Sequence, residues 1–99
     1  MIDDEKLAAA VLIVARAEGI PACMVLRPRH RRARRARWLV AYLLRVNSEL
    51  TQDRIAQMLG CCRFVVRHGV ARVEEARDFA DIDDQISALE EGYRNALAA

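Results

Sequence analysis

Apolar residues recur at intervals of three and four along nearly the whole chain, which is the spacing of one face of an α-helix. The stripe Ile86, Leu89, Tyr93 and Leu97 is the clearest case. Leu7, Ala10, Val11 and Val14 make another, and Val66, Val70 and Val73 a third. Leu39, Leu43 and Val46 form a face flanked by Ala36, Val40 and Tyr42, and Ile55, Met58 and Leu59 point one way from a shorter segment. No useful length alternates β-branched with polar residues, so strands are not expected. With 99 residues, 54% of them hydrophobic, the chain has material for one core and no second one. The expected architecture is all-α: a single domain over residues 1–99, built as a small bundle of five to six helices.

Local chemistry places the boundaries. A first helix spans Asp3 to Ala17, its three leading acids suiting the N-terminal dipole and Gly19 and Pro21 ending it. Pro21 to Leu26 has room for one helical turn. Pro28 biases Arg27 away from helix, so residues 27–32 read as a basic, extended loop. A helix follows from about Arg32 to Val46, closed by Asn47-Ser48. Thr51 is a good N-cap for a helix ending at Leu59, and Gly60 breaks it. The next helix begins near Cys62 and runs to Arg77 or beyond. Asp81 or Asp83 is expected to cap the last, acidic helix over 81–98.

The charge is segregated. Net charge is only +2, yet residues 27–72 hold twelve arginines against Glu49 and Asp53, a balance of +10. Residues 1–26 balance to −2 and residues 73–99 to −6. Seven arginines fall within Arg27–Arg37 alone. A basic middle of this density suits a polyanion, because each neutralised phosphate releases condensed counterions; the plainer reading is a solvated surface with chance clustering. The preference for arginine over the single lysine is also what a GC-rich genome produces.

Residues 51–76 carry what a helix-turn-helix needs. Ala56 is small where a second helix must pass, Gly60 can take the positive φ of a sharp turn, and Ile55, Leu59 and Val66 are apolar where the pair pins to a core. With Val66, Val70 and Val73 inward, Arg63, Phe64, Arg67, His68 and Arg72 lie on or near the outward face. Arginine binds guanine O6 and N7 bidentately, or a phosphate. Two readings of Phe64 stand side by side: outward, against a thymine methyl, or inward, after a slightly different helix start. His68 reads as a phosphate donor or as plain surface, and Cys62 as a small packing residue in preference to a reactive thiol. The amides of Gln52 and Asp53, at a helix N-terminus, attract anions. A tight helical turn with no nucleic-acid role is the competing reading of the whole segment.

Other classes fit poorly. Cys23, Cys61 and Cys62 make no disulfide framework, and no C-x-x-C spacing exists for zinc; His30 and His68 lack partners at metal spacing. No Ser-His-Asp or Cys-His arrangement and no phosphate-cradling glycine loop is present, so neither an enzyme, a metal site nor a cofactor is expected. The run Leu7 to Val14 is too short to span a bilayer and follows acids rather than a basic n-region. Free thiols fit a cytoplasmic protein, and nucleoid association is expected only if the chain binds DNA.

The order of these features resembles a known family. From about Lys6 to Glu75 the chain is similar to the C-terminal DNA-binding domain of the bacterial replication initiator DnaA. The resemblance rests on the helix ending Gly19-Ile20, the turn ending Val25-Leu26 and the basic Arg27–Arg32 loop. It rests also on Arg37-Trp-Leu-Val-Ala-Tyr-Leu43, on Leu50 to Gly60, and on His68 with Arg72-Val-Glu74. It implies that an arginine from Arg27, Arg29, Arg31 or Arg32 enters the minor groove while the recognition helix, with His68, occupies the major groove. Where that family has a base-reading Asp-His-Thr-Thr stretch, this chain has Cys62-Arg63-Phe64-Val65 with a turn one residue shorter, so the initiator's usual box is not carried over as the target. A nucleotide-binding fingerprint is absent, so an ATP-driven initiator is not implied. Domains of this kind also occur in phage-like transcription activators, including those of gene transfer agents.

The expected function is therefore transcription regulation through double-stranded DNA. A helix over about 62–76 would read bases through Arg63, Phe64 and Arg67, with His68 and Arg72 beside them. Arg27, Arg29, Arg31, Arg32, Arg34 and Gln52 would hold phosphates. The alternatives are a protein-interaction module using the 81–98 helix, on an RNA polymerase subunit or another copy, a replication-initiation accessory factor, and nonspecific architectural binding.

Overall fold

The computed structural model describes residues 2–27 and 29–99, and among these there are helices and turns but no strand. Helix α1 (Asp3–Glu18) begins with Asp3, Asp4 and Glu5 in its first turn and ends where Gly19 turns left-handed. The single turn α2 (Ala22–Val25) starts after Pro21 and buries Val25 completely.

The basic stretch is more helical than its proline indicates. A 3₁₀ turn (Arg31–Ala33) leads directly into α3 (Arg34–Tyr42), so Arg31 and Arg32 open a helix rather than finish a loop. Ala33 and Ala36 are wholly buried, and small side chains there seat the start of α3 against its neighbours. From Leu39 to Leu44 every residue is buried, because α3 runs through the middle of the bundle and touches α1, α2 and α5. A helix apolar on all sides is a helix covered on all sides.

Leu43–Asn47 continues α3 as a π turn. Its i→i+5 closure adds a residue to the turn and rotates the end of the helix about its axis. Val46, expected on the inward face with Leu39 and Leu43, is carried out to 43% exposure, and Leu44 is buried instead.

Helix α4 (Gln52–Leu59) is capped as its sequence requires: Thr51 Oγ1 accepts from the Arg54 amide at 3.1 Å. Gly60, at φ 69°, lies in the left-handed region that favours glycine, and the Cys61 amide closes back on the Ala56 carbonyl at 3.0 Å. Three residues then separate α4 from α5 (Arg63–Ala76), which buries Val66, Gly69, Val70 and Val73.

Helix α6 (Ala80–Ala98) starts earlier than expected. Phe79 occupies the N-cap position and no side chain caps the helix; Asp81 and Asp83 fall within its first turn. The short bridge 77–79 is itself closed by turn hydrogen bonds, so α6 begins before either aspartate can act as cap. Asp83 pairs with Arg77 instead.

That arginine ties three elements together. Its guanidinium donates to Asp83, to Tyr42 Oη at 2.9 Å, to Ser87 Oγ at 2.9 Å and to Glu90 Oε1 at 2.7 Å. Asn47 extends the network by donating to Glu90 Oε2 at 2.9 Å, and Ser48 Oγ lies 2.6 Å from Tyr93 Oη. The α6 stripe meanwhile closes the core, with Ile86, Leu89 and Tyr93 buried and Leu97 partly so. Burying side chains of this size contributes roughly 1.5–3 kcal/mol each. No helix among the described residues is long and apolar enough to cross a membrane.

Candidate nucleic-acid interface

The exposed face of α5 is set by its buried one. Since Val66, Val70 and Val73 point inward, Arg63, Phe64, Arg67, His68 and Arg72 are all exposed. Phe64 is 62% exposed, which settles its orientation in favour of the outward reading. The Arg63 guanidinium carbon lies 5.5 Å from the centre of its ring, and Arg63 also reaches Asp53 of α4 at 4.0 Å. An ion pair this long and this solvated contributes little to stability.

Trp38 organises the surface beside α5. Its indole meets His68 edge-on at 5.6 Å between ring centres, with the planes at 77°. It also lies directly over Gly69, where a Cβ would stand 2.5 Å from Trp38 Cδ1. Only a residue without a side chain lets the two helices approach this closely. Across the resulting groove, Arg34 and Arg37 of α3 face Val65 and Val66 of α5. In a 3₁₀ turn residues three apart eclipse one another, so Arg31 shares the Arg34 edge. Further along the same crossing, Arg35 and Arg72 line one concavity with Trp38.

The other flank of α5 faces the start of α4. Gln52, Arg67 and Arg45 border a shallow depression there, with Glu74 at the same site, so arginines stand on both sides of the helix. The loop residues Arg27 and Arg29 are exposed, and Arg29 sits at φ 67°. The Arg37 guanidinium donates to the Arg27 carbonyl, tying the loop to α3, and Leu26 just before it lines the groove opposite Val65. Arg32 is exposed on the 3₁₀ turn. Pro28 lies outside the described residues.

Most of these cations are uncompensated. Arg72 pairs with Glu75 at 3.6 Å, Arg35 with Glu18 at 2.8 Å and Arg54 with Asp3 at 2.7 Å. Among the described residues Arg27, Arg29, Arg31, Arg32, Arg34 and Arg67 have no carboxylate within 4.0 Å. Arginines without a carboxylate partner raise a local positive potential that attracts polyanions.

Residues the sequence reading did not place at the site are Trp38, Gly69, Arg35, Arg37 and Arg45. For Arg34, Arg37, Trp38 and Ala41 the signal was present, since spacings of three, four and seven put them on one helix face. Gly69 offered none, because a glycine needed for close approach has no local signature. No protein-family model matches the chain, and no curated protein matches it in sequence.

Proposed function

We propose that this protein binds duplex DNA with sequence preference and acts as a transcription regulator, α4 and α5 forming a helix-turn-helix whose second helix enters the major groove. The observation that carries this reading is the crossing of α3 over α5 at Trp38 and Gly69. It sets Arg72 of α5 beside Arg35 of α3 and brings Arg34 and Arg37 to the groove under Val65, while Arg63 and Arg67 extend from the flank of α5 that faces α4, so arginines border both sides of its exposed face. Arg63, Phe64 and Arg67, near the start of α5, are the base-reading candidates: arginine for guanine, the aromatic ring for a thymine methyl. Arg27, Arg29, Arg31 and Arg32 supply phosphate contacts or a minor-groove arginine, as the DnaA-like resemblance implies, Arg34 adds a phosphate contact next to them, and Gln52 approaches the backbone on the opposite flank.

The competing interaction-module reading needs a free apolar face on α6. Ile86, Leu89 and Tyr93 are buried, and Ile13 of α1 lies against Gly92, so that face is already used within the chain. This favours the DNA reading.

Selection of bound duplexes from a random pool at two salt concentrations tests the proposal. The expected result is one recurring motif at both salts, with affinity falling steeply as salt rises. Retention without any enriched motif overturns sequence preference, and no retention at low salt overturns DNA binding itself.

A further inference from the structure

The groove between α3 and the α4–α5 turn has a composition that phosphate contacts alone do not call for. It encloses about 460 Å³, within the range of small-molecule sites. Its walls are apolar: Leu26, Trp38, Leu59, Val65 and Val66. Arg34 and Arg37 stand at its edge, and among the described residues neither has a carboxylate within 4.0 Å. Arg37 is held in place by the Arg27 carbonyl, which orients its guanidinium before any ligand arrives. An apolar trough with two unneutralised guanidinium groups on its rim is complementary to an anion with an apolar body, not to a cation or a neutral sugar.

We propose that this groove is an effector site for a monomeric amphipathic carboxylate of the medium-chain fatty-acid class, its tail along Trp38 and Val65 and its carboxylate on Arg34 and Arg37. Occupancy neutralises the α3 arginines beside α5 and wedges between the two helices. The regulatory half of the inference rests on the DNA reading above: the effector weakens duplex binding, and by linkage duplex DNA weakens effector binding by the same factor.

Trp38 is the sole tryptophan and lines the groove, so its fluorescence reports occupancy without DNA. The full chain is titrated with decanoate below its micelle concentration, with decyltrimethylammonium as the cation of equal tail, and with phosphatidylglycerol vesicles. The expected result is a saturable, one-to-one change with decanoate and at least tenfold weaker response to the cation. Arg34→Ala with Arg37→Ala should weaken decanoate binding at least tenfold. Val65→Asp, at a half-exposed position that tolerates a polar side chain, should do the same without disturbing the fold. Absence of saturation, equal response to the cation, or a change with vesicles alone overturns the site. A duplex-binding assay with and without decanoate separates the two claims. Saturation of Trp38 without any duplex binding leaves the site standing and removes the DNA reading, whereas duplex binding indifferent to saturating decanoate overturns the regulatory half.

Discussion

Trp38 and Gly69 fill one space: the indole lies where a side chain on residue 69 would have to be, 2.5 Å from an ideal Cβ. Glycine inside a helix costs roughly 1 kcal/mol relative to alanine. Gly69→Ala would therefore stabilise α5 if nothing stood above it. Here the neighbour is the rim of a large ring close to its own backbone, and overpacking of that kind costs roughly 1–3 kcal/mol. The expected net effect is destabilisation in urea unfolding together with a shift in Trp38 emission. In a Trp38→Leu background the same Gly69→Ala change should become neutral or stabilising. Equal effects in both backgrounds would show that the close approach is not what requires glycine.

Arg77 should matter to the fold and not to the basic edge. Its side chain is 24% exposed, and its partners Glu90 and Asp83 are 12% and 43% exposed, so only part of a buried-pair energy applies. Breaking a fully buried pair costs about 3–5 kcal/mol, and an exposed one below about 1. Arg77→Met is expected near 2 kcal/mol of lost stability, since Glu90 also loses a donor while keeping Asn47. At a temperature where the variant is folded, its duplex affinity should match the parent's. A variant as stable as the parent shows that the four hydrogen bonds on Arg77 only balance its desolvation.

How much of this could be read from the sequence depended on the range of the interaction. Thr51, Gly19 and Gly60 were legible because capping and left-handed turns are decided within a few residues. Val66, Val70 and Val73 were legible because one face of α5 meets the core at regular spacing. Val46 was misplaced because a π turn is a tertiary accommodation with no residue code, and Phe79 displaced the aspartates as cap because α6 starts close behind α5. At the candidate site the exposed arginines of α5 were visible in advance. The partnership of Trp38 with Gly69 and His68, which brings α3 to them, was not, since it joins residues about thirty positions apart.

Asp3 gives the stability a component that depends on acid pH. The hydrogen bond from Arg54, reinforced by the charges of Arg54 and Lys6, holds its carboxyl below the usual aspartate range. With the folded value below the unfolded one, the unfolded chain binds more protons in the interval between them. The contribution is therefore complete above about pH 4 and is lost as pH falls through the folded value. Urea midpoints measured from pH 2 to 7 should show Asp3→Asn less stable than the parent near neutrality and the two converging at the acid end. A difference that stays constant across this range would rule out the Arg54 pairing as its cause.

The thiols should differ in reactivity in the order their environments dictate. Burial, with the neighbouring Cys62 thiolate adding to it, pushes the Cys61 thiol up, while Cys23 is exposed and so is Cys62, which at the N-cap of α5 does not take the packing role its sequence suggests. The thiolate is the reactive form. Iodoacetamide at pH 8, followed by peptide mass spectrometry, should modify Cys23 and Cys62 well before Cys61. Labelling of Cys61 first would mean that the α4–α5 turn opens in solution.

The arginines of the two stretches should fail in different ways. A base contact discriminates by roughly 1–3 kcal/mol, about tenfold or more in affinity, and only on the preferred sequence. A phosphate contact is lost on every sequence, and each one removed lowers the slope of log affinity against log salt by about 0.9. Arg63→Ala should therefore weaken binding to the selected duplex while leaving random duplex nearly unaffected, and Phe64→Ala should act in the same direction. Arg29→Ala and Arg31→Ala should weaken both duplexes alike and flatten the salt dependence, because these side chains extend from a loop and a helix start rather than from the exposed face of α5. Losses that are equal on both duplexes for every one of these variants would mean that α5 contributes charge and no reading, and that the protein coats DNA without choosing where.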